Sequence, residues 1–299
     1  MLSNPNIIDI LVNGHKEVWI DQGQGLEKTK LTFFNEVSVR SLAQRLALST
    51  GRRLDQSQPY VDAQLSKTIR LHAILSPIAN PGTVISLRIH RPQILSLGEL
   101  VINKTITTSK KDFFNEIIKE KKSFVICGGT GSGKTTLLNS LLSEVNRNQR
   151  ILIIEDSREL NPQHPHVVSL EGRPANIEGM GLITIKDLIR QSLRMRADRL
   201  IIGEVRGVEV IDWLGALNTG HSGSAGTIHA NSIHEVIIRF ESLGLMAGLS
   251  KEAIHSQLRT ALDYVIHIER NSDGKRQVRA IGEFRTDSTG NSFIEEMNI

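Results

Sequence analysis

Residues Gly128-Gly-Thr-Gly-Ser-Gly-Lys-Thr135 fit the spacing G-x-x-x-x-G-K-[ST] in full. Few stretches of this length restrict a fold so strongly. Four glycines let a backbone turn tightly and aim its N–H groups at one point. A helix that starts at the end of such a loop adds partial positive charge there. The flanks agree. Phe124-Val-Ile-Cys127 reads as a buried strand, and Thr136-Leu-Leu-Asn-Ser-Leu-Leu142 reads as a helix. The spacing therefore predicts a strand–loop–helix unit of an α/β domain whose loop cradles phosphates. Gly128, Gly129, Thr130, Gly131, Ser132, Gly133, Lys134, Thr135 and Thr136 form the cradle. Lys134 reaches the β- and γ-phosphates, and the Thr135 hydroxyl ligates magnesium. Cys127, at the end of the strand, reads as a buried, inert thiol.

The surrounding sequence repeats that alternation. Apolar strands are expected at Ser123–Cys127, Ile151–Glu155, Val167–Leu170 and Leu200–Ile202, with helices near 134–146, 185–197, 208–218 and 232–247. Such alternation implies a mainly parallel sheet covered by helices on both faces. Lys251–Val265 reads as a further amphipathic helix, and Tyr264–Glu269 with Gln277–Phe284 as a closing hairpin about Asn271-Ser-Asp-Gly274. Ahead of this lies a smaller α/β unit, with strands at Glu17–Ile20, Thr68–Leu75 and Gly82–Arg91 and a helix over about 35–49 carrying Val39, Leu42 and Leu46. Pro92 punctuates the chain. Ser96-Leu-Gly-Glu99 and Ser109-Lys-Lys-Asp112 then read as helix starts. The expected domains are 1–92 and 93–299.

Ligands of open parallel sheets bind beyond the carboxyl ends of the strands. Two such ends carry acids: Glu155-Asp156 after Ile151-Leu-Ile-Ile154, and Glu204 in Arg199-Leu-Ile-Ile-Gly-Glu-Val-Arg-Gly207. In the second, glycine (Gly203) stands where strands of this kind usually carry an aspartate that helps hold magnesium. Phosphoryl transfer to water needs a group to orient the water and others to hold the metal and its waters, so Glu155 and Glu204 are both candidates. His221 and His229, eight residues apart among small residues, can bring one imidazole to a phosphate oxygen. As metal ligands, His221, His229 and His234 lack standard zinc spacing and a fourth partner. Positive charge for the γ-phosphate can come from Arg88 or Arg70, on polar strand faces of the first unit, or from Arg206 just beyond Glu204. Arg194 and Arg196 are expected on the helix before that last strand.

Composition narrows the setting. Hydrophobic residues make up 39% of the 299 and charged residues 23%, enough for a core in a soluble chain. The net charge of +4 permits a polyanionic or membrane surface without requiring one. One cysteine excludes an internal disulfide and a cysteine zinc module, as suits a reducing cytoplasm. No run approaches the roughly 18 apolar residues of a membrane span, and no secretory leader is visible at the start. Any membrane role is expected to be peripheral.

Four blocks in order resemble the secretion and pilus traffic ATPases of the type II/type IV secretion superfamily. They are the phosphate loop Gly128–Thr136, the "Asp box" Ile154-Glu-Asp-Ser-Arg-Glu-Leu160, the degenerate Walker B segment Leu200–Gly207, and the "His box" Gly220-His-Ser-Gly-Ser-Ala-Gly-Thr-Ile-His-Ala-Asn-Ser232. The chain looks most like the Tad/Flp pilus assembly branch and its conjugation relatives, on Gly51-Arg-Arg-Leu-Asp-Gln-Ser57, Arg194-Met-Arg-Ala-Asp-Arg199 and Asn218-Thr-Gly-His221. The resemblance implies a PAS-like N-terminal α/β domain linked to a RecA-like ATPase domain, with nucleotide at their junction. It also implies a homohexameric ring at the cytoplasmic face of the inner membrane, bound to platform or secretion-channel proteins and converting ATP to ADP with Mg²⁺. Within it, Glu155 activates water, Glu204 acts on magnesium through water, His229 stands near the γ-phosphate and His221 opens its box. The resemblance fixes neither the system served, the transported polymer nor the direction of movement.

A RecA-like nucleic-acid motor, such as a DNA-translocating ATPase, is the competing reading. It expects a basic path bearing aromatics. The arginine-dense stretch Arg190–Arg199 has none, and no direct nucleic-acid contact is expected.

Overall fold

A computed structural model describes residues 4, 6–23, 25–66, 68–89, 94–175 and 180–299. The chain forms two compact units, Met1–Arg91 and Pro92–Ile299. The boundary expected at residue 92 lies outside the described residues.

The first unit runs β1 (Asp9–Asn13), β2 (Glu17–Asp21), β3 (Leu26–Lys28), α1 (Glu36–Ser49), β4 (Tyr60–Ser66), β5 (Ile69–Ile74) and β6 (Val84–Ile89). Its sheet has the order β3-β2-β1-β6-β5-β4, antiparallel throughout. One side is covered by α1. That helix begins where the Asn35 side chain accepts the Ser38 N–H, and it turns Val39, Ala43 and Ala47 into the core. The expected leucine stripe is shifted, since Leu42 and Leu46 are only partly buried. Strands β1 and β4 were not expected. β1 shows only two buried apolar positions, and β4 (YVDAQLS) dilutes its alternation with Asp62 and Gln64.

The second unit contains α2 (Leu97–Ile102), α3 (Thr108–Lys119), β7 (Phe124–Cys127), α4 (Lys134–Ser143), β8 (Ile151–Glu155), β9 (Val167–Glu171), α5 (Ile185–Ser192), β10 (Arg199–Val205), α6 (Glu209–Leu217), β11 (Ala225–Ile228), α7 (Glu235–Met246), α8 (Lys251–Ala261), β12 (Tyr264–Arg270), β13 (Arg276–Thr286) and β14 (Ser292–Glu296). The sheet order is β14-β13-β12-β7-β11-β10-β8-β9. Strands β12 to β9 in that order are parallel to their neighbours, while β13 and β14 add on antiparallel. The mainly parallel α/β architecture expected of the chain is present, with an antiparallel end that carries one strand more than the closing hairpin.

Period-two alternation sends neighbouring residues of each central strand to opposite layers. Val125, Cys127, Leu152, Ile154, Leu200 and Ile202 pack with α5, α6, α7 and α8. Phe124, Ile126, Ile151, Ile153 and Ile201 pack with α2, α3 and α4. Burial on both faces explains why these strands read as unbroken apolar runs. β11 is as buried as the others but was not expected, because its sequence is Ala-Gly-Thr-Ile. Small residues are needed there. A β-carbon on Gly226 would meet the Trp213 ring of α6 at 3.0 Å.

Three local expectations are corrected. α3 is capped by Thr107, whose side chain accepts the Lys110 N–H, and not by Ser109. α8 stops at Ala261, so Val265 belongs to β12. α5 ends at Ser192, so Arg194 and Arg196 lie beyond it, Arg196 with φ 53°. The arginine-dense stretch is thus no basic helix face. Arg190 pairs with Asp212, and Arg199 is 1% exposed, donating to Gln149 Oε1 and to the carbonyls of Gly223 and Ile118. Burial lowers the pKa of its guanidinium to about 10.

Candidate functional site

The loop Gly128–Gly133 joins β7 to α4, at the carboxyl ends of β7, β8, β10 and β11. Gly133 caps α4 with φ 102°, a left-handed conformation suited to glycine. Inside the loop the Lys134 ammonium donates to the carbonyls of Gly128 at 2.8 Å and Gly129 at 2.9 Å. Burial lowers its pKa, against the pull of Glu204, Cys127 and Glu159. The Ser132 hydroxyl is buried without a hydrogen-bond partner. A loop that holds a buried cation and an orphan hydroxyl is suited to a polyphosphate, whose oxygens satisfy both. Cys127 is fully buried, with a thiol pushed up to about 12 by burial, and takes no part.

Glu155 ends β8 on the side of Ile151 and Ile153, the side covered by α4. It is 5% exposed. Its Oε1 accepts the N–H groups of Glu159 at 3.1 Å and Leu160 at 3.0 Å. Burial raises its pKa from 4.5 to about 7, the two backbone N–H groups opposing the shift and the Glu159 and Glu171 charges adding to it. The loop after β8 is held to α4 by the Thr135 hydroxyl, 3.5 Å from Glu159 Oε2, and by the Asn161 N–H, which donates to Asn139 Oδ1 at 2.8 Å. Glu159 thus bridges Glu155 and Thr135. It belongs to the Asp box, where the sequence alone does not single it out. Its spacing of four from Glu155, on a segment that turns straight back to the phosphate loop, was the available signal.

Gly203 stands beside Glu155, since Ile202 of β10 pairs with Ile154 of β8. A β-carbon at 203 would lie 2.5 Å from Glu155 Cγ and 3.0 Å from its Oε1. The absent aspartate of β10 now has a physical cause. The room its side chain would need is filled by the carboxylate of the neighbouring strand. The register of β10 against β11 also shifts between Ile202 and Val205, and the Thr227 hydroxyl donates to the Gly203 carbonyl at 2.6 Å. A bulge at this point re-aims the next side chain. That side chain is Glu204, 18% exposed, with Oε1 2.7 Å from His229 Nε2 and Oε2 paired with the Arg206 guanidinium. Burial, followed by the Lys134 charge, lowers the pKa of His229. The imidazole is therefore neutral at neutral pH, and the nitrogen facing the carboxylate carries the proton.

The fold brings together the phosphate loop, Thr135, Glu155, Glu204, Arg206 and His229. His221 is not among them. It precedes β11 whereas His229 follows it, so the two histidines stand at opposite ends of one strand. His221 Nδ1 lies 3.2 Å from the Ala216 carbonyl and its own carbonyl accepts from Ser224 Oγ, among contacts at the amino ends of the parallel strands. Its expected place at the nucleotide is corrected accordingly. In the first unit, Arg70 and Arg88 sit opposite each other on β5 and β6. Arg70 grips Asp62 with two hydrogen bonds of 2.9 and 2.6 Å, and Arg88 pairs with Asp9 at 3.1 Å. Among the described residues no histidine, cysteine and carboxylate cluster fit for a protein-only metal site occurs. No helix among the described residues is long and apolar enough to cross a membrane.

Comparison with known proteins gives consistent results. The model of the type II/IV secretion system protein family matches residues 1–293. A putative conjugal transfer protein of Mycobacterium tuberculosis is 46% identical over 291 residues, which is 95% of this chain and 83% of that protein. The type IV secretion system protein PtlH of Bordetella pertussis is 30% identical, over 89% of this chain and 85% of its own length. Among solved structures, the VirB11 ATPase from the Brucella suis type IV secretion system, crystallised with sulphate, superposes with a TM-score of 0.53 at 25% identity and 94% coverage of each chain.

Proposed function

The chain belongs to the type II/IV secretion system protein family, and from that premise we infer that it is a magnesium-dependent ATPase working as a homohexameric motor of conjugation, secretion or pilus assembly. We place it with the conjugation and Tad/Flp pilus relatives, peripheral to the cytoplasmic face of the inner membrane and docked on platform or channel proteins. The single observation that carries the ATPase reading is the pair of strand-end carboxylates beside a complete phosphate loop, one buried against backbone N–H groups and one held between His229 and Arg206.

ATP bound with Mg²⁺ supplies the phosphoryl group that is transferred to water. Lys134 and the loop N–H groups would hold the phosphates, and the Thr135 hydroxyl would hold the metal. Glu155 accepts the proton of the attacking water, for which a pKa near 7 is well matched. Glu204 would hold the metal through water, and its partner His229, 2.7 Å away, would stand near the γ-phosphate. Arg206 adds positive charge. The domain division at residue 92 is part of the same proposal.

The test is ATP turnover by the purified chain with Mg²⁺, against Lys134→Ala. Phosphate release that needs Mg²⁺, rises with protein concentration as subunits assemble and falls at least about a hundredfold in the variant is the expected result. Equal turnover in both proteins would overturn it.

A further inference from the structure

The antiparallel end of the large sheet reaches back to the phosphate loop. Arg276, the first residue of β13, donates from Nε to the Gly131 carbonyl at 3.3 Å, across 145 residues of sequence. Its Cδ fills the place of a side chain at Gly133, where a β-carbon would come within 2.7 Å. On the preceding strand β12, the Ile268 carbonyl likewise occupies the space a β-carbon on Gly128 would need. Two of the loop's glycines are therefore dictated by the β12–β13 hairpin as well as by a ligand. Arg276 is also an unusual cation. Its side chain is exposed at the surface, it pairs with Arg270 across the hairpin, and partial desolvation followed by the Arg270 charge lowers its pKa. Among the described residues its one side-chain hydrogen bond is to the loop.

We propose that Arg276 is a positioning residue that holds the phosphate loop in its anion-binding shape. The reason lies in the peptide plane. In a trans peptide the carbonyl of Gly131 and the N–H of Ser132 point in opposite directions. Pinning that carbonyl to the hairpin turns the Ser132 N–H inward, where it now spans the loop to the Gly129 carbonyl at 3.4 Å. Gly131 has φ 72°, so the plane is held in a conformation that a free glycine readily leaves. The brace acts on the loop before any ligand arrives. Its loss weakens binding of ground state and transition state alike, and the defect appears in KM more than in kcat.

The proposal rests on the loop binding nucleotide, and the substitutions separate bracing from charge. Arg276→Gln places an amide N–H where Nε stands but carries no charge. Arg276→Lys keeps the charge and moves the donor one bond further out. Calorimetric titration of the full chain with MgATP and with MgADP, together with KM, kcat and the melting temperature, gives the readout. We expect Arg276→Ala and Arg276→Lys to raise Kd for both nucleotides and KM by about tenfold at an unchanged melting temperature, with Arg276→Gln within about threefold of the parent. Retention in Arg276→Lys with loss in Arg276→Gln would assign the residue to charge and overturn the brace. Parental affinity in all three variants, or equal loss in all three, would overturn it too. A parent chain that binds neither nucleotide would instead defeat the functional reading on which the proposal stands.

Discussion

Glu155 at the end of β8 and Glu204 at the end of β10 are one strand apart, yet they are kept in opposite conditions. Glu155 is 5% exposed, takes its hydrogen bonds from backbone N–H groups, and has a pKa raised to about 7. Glu204 is 18% exposed and lies between His229 and the Arg206 guanidinium. Desolvation favours the neutral form of the first, whereas the second is less buried and is gripped by an imidazole and a guanidinium. A carboxyl that gains and loses a proton near neutrality suits a water-activating base. One held in place by two side-chain partners at the mouth of the loop suits work on metal-bound water. The pair shows how two identical side chains acquire different chemistry from their surroundings.

The contrast depends on Gly203, because Glu155 occupies the volume beside it. The substitution that should collapse the contrast most strongly is Gly203→Ala. Its methyl group forces Glu155 aside by about an ångström, which for a reacting group costs roughly a hundredfold in kcat. ATP affinity, measured by calorimetry, should stay within about threefold, since the phosphate loop is untouched. An unchanged kcat would show that Glu155 needs no such room.

Removing the charge from the other member is expected to have a smaller effect. Glu204→Gln keeps the shape and loses the anion, so the Mg²⁺ concentration for half-maximal turnover should rise about tenfold. A change in kcat with no change in Mg²⁺ requirement would move Glu204 away from the metal.

An effect outside catalysis sharpens the comparison through stability. The folded-state pKa of Glu155, about 7, lies above its ordinary 4.5. Below the lower value the group is protonated in folded and unfolded chains alike. Between the two values the unfolded chain ionises while the folded chain retains its proton, so burial becomes progressively destabilising as pH rises. Above about 7 the cost is complete, on the order of 3 kcal/mol. Urea unfolding of Glu155→Gln and the parent should therefore diverge in that window, the variant becoming the more stable as pH rises. Parallel curves would place Glu155 in a more polar setting than its burial indicates.

Much of this was legible in the sequence. The phosphate loop announced itself because its chemistry is carried by backbone and glycine at fixed spacing, and the apolar runs of β7, β8 and β10 are long enough to read. The two acids were legible because they follow such runs directly. What escaped was whatever depends on contacts between distant strands. The strand Ala225–Ile228 is hidden by small residues that exist to receive Trp213. The reason for Gly203 lies in a side chain 48 residues earlier, and the brace at Gly131 in an arginine 145 residues later. His221 was misplaced because a shared motif says nothing about which end of a strand each histidine occupies.

The central claim is that Glu155 is the base and that its buried setting holds it near neutrality. The pH dependence of kcat for saturating MgATP in the parent and in Glu155→Gln tests it most directly. The parent should show a single rising limb with its midpoint near pH 7. The variant should be slower by about a hundredfold or more, with that limb gone. A parent profile that is flat over roughly pH 6 to 9, or a variant that turns over at the parental rate, would contradict the account.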